Sequence, residues 1–256
     1  MNFKTIRITL LLLILAYIGA DTFLNNKRAT DWKRSVRVVI YPINADSSEQ
    51  SAKYIKQLQA SQFDSINTAL ESEGKRYNRE LSEPFRIGLA PELNTLPPKL
   101  PASRSGLTVL WWSIKLRFWA WKNDNYAGPK AQIKAYALYF DPKTHPSLKH
   151  STGLKKAKLS VNYLFSNNKQ SKQNNVVILH ELLHTLGATD KYDLRTGLPH
   201  YPEGFADRQQ LPLYPQKKAE IMGGRIALSE AKAKIPNSLK SIVIGPQTAK
   251  EIGWIK

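Results

Sequence analysis

The chain has 256 residues, enough for one large domain with a substantial core, and a hydrophobic share of 42% excludes a disordered polymer. It has no cysteine, which excludes disulfides, thiolate metal sites, a cysteine-based zymogen switch and a lipoprotein anchor. Thirty-eight lysines and arginines against twenty acidic residues give a net charge of +18, a field that favours anionic surfaces.

Residues 1–35 read as an N-terminal signal-anchor and linker. Lys4 and Arg7 precede an apolar run from Ile8 to Ala20, and Asp21 and the bases Lys27, Arg28, Lys33 and Arg34 follow it. A cut after Ala20 would leave Ile18 where a small residue is required, so an uncleaved anchor reaching Leu24 is as well supported as a cleaved signal. Both versions make the membrane a partner through this segment. Both put the rest of the chain outside the cytoplasm, membrane-anchored or secreted.

Val36 to Tyr41 is a β-rich run that ends at Pro42, a first strand. Ser51 to Ser72 has helical periodicity through Tyr54, Ile55, Leu58, Phe63, Ile66, Ala69 and Leu70, and Gly74 is expected to stop it. Phe85 to Leu89 reads as a short strand, and the proline-rich stretch from Pro91 to Gly106 as a loop. Thr108 to Lys122 alternates, with Leu110, Trp112, Ile114, Leu116, Phe118 and Ala120 on the face expected in the core. Its other face has Trp111, Ser113, Lys115, Arg117, Trp119 and Trp121, so it reads as a long strand. Asn123 to Pro129 is a turn, Ala131 to Asp141 a strand, and Asp141 to Gly153 a loop containing His145 and His150. Ala157 to Phe165 alternates with Lys158, Ser160 and Asn162. It reads as a strand with one wet face, suited to pairing with an extended peptide.

Next comes the stretch with the most chemistry, His180-Glu181-Leu182-Leu183-His184 inside an apolar run. In a helix His180 and His184 project from one face a turn apart, able to share one Zn2+, with Glu181 beside the activated water as general base. Val176, Leu179, Leu183 and Leu186 form the stripe that packs on a core, Asn175 is the expected N-cap, and Gly187 ends the run. A buried His-Glu-His helix without a metal would have to satisfy three polar groups by other means. The bases Lys155, Lys156, Lys158, Lys169 and Lys172 are scattered and belong to no recognised module, so nucleic acid is not an expected partner.

The element order, the run HELLHTLGATD and the later methionine together resemble the metzincin clan of zinc endopeptidases. The resemblance implies an α+β fold over residues 36–256. It has a mixed twisted β-sheet and an active-site helix in a first half, 36–187. A mostly irregular C-terminal subdomain, 188–256, ends in a helix near Pro246 to Trp254. It also implies that Gly187 turns the chain below the metal and that the third ligand is Asp190, where most members have histidine. An aspartate variant is found in the snapalysin type, and Asp190-Lys191-Tyr192-Asp193 is similar to the motif of immune inhibitor A-type peptidases. Met222, in Glu220-Ile221-Met222-Gly223-Gly224, corresponds to the methionine turn beneath the metal. The implied activity is hydrolysis of a protein or peptide substrate, with His180, His184 and Asp190 holding zinc and Glu181 as general base.

Alternatives remain at single positions. Thermolysin-like enzymes take their third ligand from a glutamate further on, followed by an aspartate four residues later, and Glu203 and Asp207 have that relation, although Pro202 and Gly204 disfavour a helix there. Asp193 is a further candidate ligand. Asp193, Glu203 and Asp207 also form an acidic set that Ca2+ would suit, ordering the loop from Leu194 to Gln216. Gly224 stands where some families keep a tyrosine that stabilises the oxyanion, which leaves Tyr192, Tyr201 and His200 as candidates. Outside catalysis, the alternatives are a metal-stabilised binding module and a basic cell-envelope scaffold.

Overall fold

A computed structural model of the chain describes residues 5–10, 12–13, 29–101 and 105–256. The apolar run expected to anchor the chain lies mostly outside the described residues. Among them no helix is long and apolar enough to cross a membrane.

The β-branched run after Ser35 forms β1 (Val36–Asn44). α1 (Glu49–Lys56), a 3-10 turn at Ala60–Phe63 and α2 (Asp64–Lys75) lead from it to β2 (Phe85–Leu89). α3 (Gly106–Lys122) connects to β3 (Ile133–Phe140), and β4 (Thr152–Leu154), β5 (Leu159–Phe165) and α4 (Ser171–Leu186) follow. The five strands make one mixed sheet in the order β2-β1-β3-β5-β4, parallel except for β4, which lies antiparallel on the β5 edge. A mostly parallel sheet needs cover on both faces. On one face Ile40, Ala137 and Leu164 pack with Ile66 and Leu70 of α2 and Leu179 of α4. On the other, Tyr41, Tyr136 and Leu138 pack against Trp112, Leu116 and Ala120 of α3.

Several elements depart from the sequence reading. The segment 108–122 is the helix α3, not a strand, and of its expected core set only Trp112, Leu116 and Ala120 are buried, while Leu110, Ile114 and Phe118 face solvent. The single helix expected over 51–72 is two helices separated by the 3-10 turn, and Gly74 does not end the second but lies inside it, packed on Leu81. The strand read as ending at Pro42 continues to Asn44. There the Pro42 carbonyl accepts the N–H of Leu93 at 2.9 Å, on the side where β2 has already ended, so no ladder donor is missing. The face of 157–165 expected to be wet is dry: Ser160 and Asn162 are fully buried because α4 packs along β5. β5 is also an inner strand, and the edge on its side of the sheet belongs to β4.

At the start of the described body, Ala29 is buried. The Trp32 ring lies 6.1 Å from Phe85 and 5.7 Å from Trp254, so this part of the segment read as linker packs on the domain. After Gly187 the chain is mostly irregular. β6 (Ala219–Glu220) pairs with β9 (Ile242–Val243), β7 (Ile226–Ser229) with β8 (Lys232–Lys234), and α5 (Pro246–Glu251) comes last.

Candidate metal centre

α4 begins five residues before its apolar stretch proper, at Ser171, so Asn175 is not its N-cap. The Asn175 amide instead donates to the Gln62 carbonyl at 2.7 Å and to Ser65 Oγ at 2.9 Å, tying the helix to the turn before α2. Val176, Leu179, Leu183 and Leu186 are all buried in the core, which sets the rotation of the helix and turns His180 and His184 the other way. The helix ends at Gly187, with φ +123°, a conformation that side chains rarely adopt. From there the chain doubles back and brings Asp190 to the two histidines. Glu251 of α5 holds that return: one oxygen accepts from Thr189 N–H at 2.9 Å and Lys191 Nζ at 2.8 Å, the other from Thr189 Oγ1 at 2.7 Å.

His180 Nε2 and His184 Nε2 lie 3.1 Å apart, and Asp190 Oδ1 is 3.1 Å from the first and 3.0 Å from the second. On the far side of each ring, Nδ1 donates to a backbone carbonyl at 2.8 Å, that of Ile221 for His180 and that of Ala188 for His184. These bonds fix the tautomer. With each Nδ1 donating outward, both Nε2 atoms and a carboxylate oxygen face a common point, where a metal or a single proton can bind. Three acceptors this close repel one another unless a cation lies between them. Ligand atoms about 2.1 Å from a tetrahedral zinc stand about 3.4 Å apart, so this triangle is a slightly contracted version of that geometry. The donor set fits a divalent transition metal, and among the described residues it is the one group of three metal-ligating side chains so gathered.

The protonation of the site points the same way. Burial opposes charge on His180, yet the Asp190 hydrogen bond, the Glu181 charge and the Ile221 carbonyl outweigh it and push its pKa up to about 9. Burial would raise the Asp190 pKa, but hydrogen bonds to His180 and His184 hold it well below the usual carboxylate range. Without a metal, the cluster holds a proton on His180.

Glu181 is 5% exposed, and its Oε2 has no hydrogen-bond partner. Burial raises its pKa, while the two histidines and the N–H of Gly153 favour its charged form. Gly153 is in β4, which crosses α4 so closely that a Cβ there would stand 2.4 Å from the Glu181 carbonyl oxygen and 2.6 Å from His184 Cβ. Only glycine allows the edge strand to run beside the motif.

Met222 is fully buried in a 3-10 turn, Ile221–Gly223, directly below His180 through the Ile221 carbonyl. Glu220, also fully buried, secures this turn. One carboxylate oxygen accepts from Met222 N–H at 2.7 Å and Gly223 N–H at 2.8 Å, and the other from Gly245 N–H at 3.0 Å and Thr248 Oγ1 at 2.7 Å. Glu220 and Glu251 were not legible as site residues, because their partners are distant in sequence and no short motif marks them. Lys158 was read only as a solvated base. Its Nζ donates to the Thr185 carbonyl near the end of α4 at 2.7 Å, and burial, with Lys155 nearby, lowers its pKa to about 8.

The remaining candidates separate clearly. Tyr192 reaches the site: its ring centroid is 6.1 Å from that of His180, and burial and the Asp190 charge raise its pKa, so its hydroxyl stays a donor toward Asp190. Tyr201 packs on Phe205 and His200 is exposed, neither at the cluster. Glu203 lines a separate hollow with Arg208 and Lys250 and is not the third ligand. Asp193 folds back on its own turn, accepting from the N–H groups of Arg195 and Thr196, and Asp207 does the same for Gln209. The acidic set considered for calcium is not gathered into a site among the described residues.

Beside the cluster opens a cleft of about 410 Å³. His180, Glu181 and Tyr192 stand at one end, and Phe165, Val177 and Ile221 are among its apolar walls. No protein-family model matches this chain, and no curated protein matches it.

Proposed function

We propose that the chain is a zinc-dependent endopeptidase of metzincin type, a metalloprotease acting on protein or peptide substrates outside the cytoplasm. The observation that carries this reading is the convergence of two imidazole Nε2 atoms and a carboxylate oxygen next to a buried glutamate with an unpartnered oxygen at the mouth of a cleft. His180, His184 and Asp190 would hold the metal. Zinc bound there would polarise a peptide carbonyl and acidify water.

The chain's own residues account for the rest. Glu181 has a carboxylate oxygen with no hydrogen-bond partner, so it can take a proton from the attacking water and hand it to the leaving amine. Its raised pKa suits a group that must both accept and release a proton. An extended peptide would pair with the outer edge of β4, the edge strand nearest the cluster, rather than with β5. A substrate side chain would then enter the cleft between Phe165, Val177 and Ile221.

Metal content of the purified protein, wild type against Asp190→Ala, tests the reading. One zinc per chain is expected in the wild type, lost or much weakened in the variant. Zinc-dependent cleavage of a peptide library by the wild type should then follow. Zinc without cleavage would favour a metal-stabilised binding module, and a chain that takes no zinc after reconstitution would favour a basic envelope scaffold.

A further inference from the structure

α3 has two apolar faces, and the fold uses one of them. Trp112, Leu116 and Ala120 are buried on the sheet. Leu107, Leu110, Trp111, Ile114, Phe118 and Trp121 are between 47% and 81% exposed. At about 100° per residue these six project within an arc of about 100°, opposite the buried face. Water-soluble domains rarely leave so continuous a stripe of large side chains uncovered.

Charge identifies what covers it. The helix contains no acidic residue, and its bases fall on the margins of the stripe: Arg117 along one side, Lys115 and Lys122 along the other. Lys115 Nζ lies 5.7 Å over the Trp111 ring, its stem running along the apolar surface and its charge at the border. A second copy docked stripe to stripe would set bases against bases with no acid between them. The chain's own N-terminal apolar run carries Lys4, Arg7, Lys27 and Arg28 at its ends and would meet the same repulsion. We propose that α3 lies in the plane of an anionic lipid surface, its six apolar side chains in the acyl boundary and its marginal bases on the headgroups. Tryptophan at the interface, bases flanking an apolar stripe and the net charge of +18 all favour that partner.

The test uses the full chain and the two tryptophans of the stripe as reporters. Vesicles of phosphatidylcholine, with or without phosphatidylglycerol, carry brominated acyl chains that quench tryptophan on contact. Quenching is expected on the anionic vesicles, falling to near nothing in Trp111→Phe/Trp121→Phe. Lys115→Glu/Arg117→Glu/Lys122→Glu should remove most of it while the far-ultraviolet spectrum is unchanged. Before lipid is added, acrylamide should reach Trp111 and Trp121. Lipid quenching that survives loss of both tryptophans would overturn the proposal, since the membrane contact would then lie elsewhere. So would shielding from acrylamide before lipid is added, which would mean that protein already covers the stripe.

Discussion

His180, His184 and Asp190 are each fixed from outside the cluster. Backbone carbonyls orient the two rings, and the Glu251-bound residues on either side of Asp190 orient the carboxylate. Glu181 touches none of the three through its free oxygen, which makes it separable from metal binding. Glu181→Gln is therefore expected to retain zinc while losing peptide hydrolysis by about 10²-fold or more, as metal analysis and a peptide assay on one preparation would show. The metal-free protein should also have a distinctive pH response. With a folded pKa near 9 against an ordinary value of 6.5, His180 contributes stability that is fully present below pH 6.5 and lost as the pH rises through 9. Thermal melts of chelated protein should show Tm falling across that interval, and Asp190→Asn should flatten the fall. Zinc affinity should rise over the same interval, because the proton on His180 must leave. The gathering of His180, His184 and Asp190 was legible in the sequence because it is local: two histidines a turn apart and an aspartate three residues past a helix-ending glycine.

What short spacing cannot convey is how separate elements brace one another. The methionine turn is held to α5 by Glu220, whose four donors come from two segments of chain. An amide in its place has one acceptor oxygen and a nitrogen that faces donors. Glu220→Gln is expected to destabilise the fold by about 2–4 kcal/mol in urea unfolding, more than a surface carboxylate would. α3 was misread for a related reason. A helix apolar on one side shows a period of 3.6, but α3 is apolar on its buried face and again on its outer stripe, and the two sets interleave in sequence. Filling both faces erases the helical period and leaves an apparent alternation. The polar opening of α4 misled similarly, since Asn174 and Asn175 work against strand and turn rather than as caps.

In the molecule as a whole, the sheet separates two surfaces. α4 and the His-His-Asp cluster lie on one face, and α3 with its apolar stripe covers the other. Docking through α3 would leave the cleft turned away from the lipid and open to substrates in solution. Coarse architecture was accessible from the sequence because β1 announces itself by a β-branched run and β3 and β5 by aromatic and apolar ones. The order in which the strands pair was not, since β4 is three residues long and becomes an edge only through its contact with β5. The brace at Glu251 also bears on timing. As the chain leaves the ribosome, both histidines and Asp190 emerge well before the residue that positions the third ligand. A nascent chain thus carries the whole motif without a formed centre, and the His-His-Asp cluster closes only as the last helix docks. Glu251→Gln should then weaken zinc binding by about 10–100-fold with every ligand still in place, measurable by competition with a chromogenic chelator.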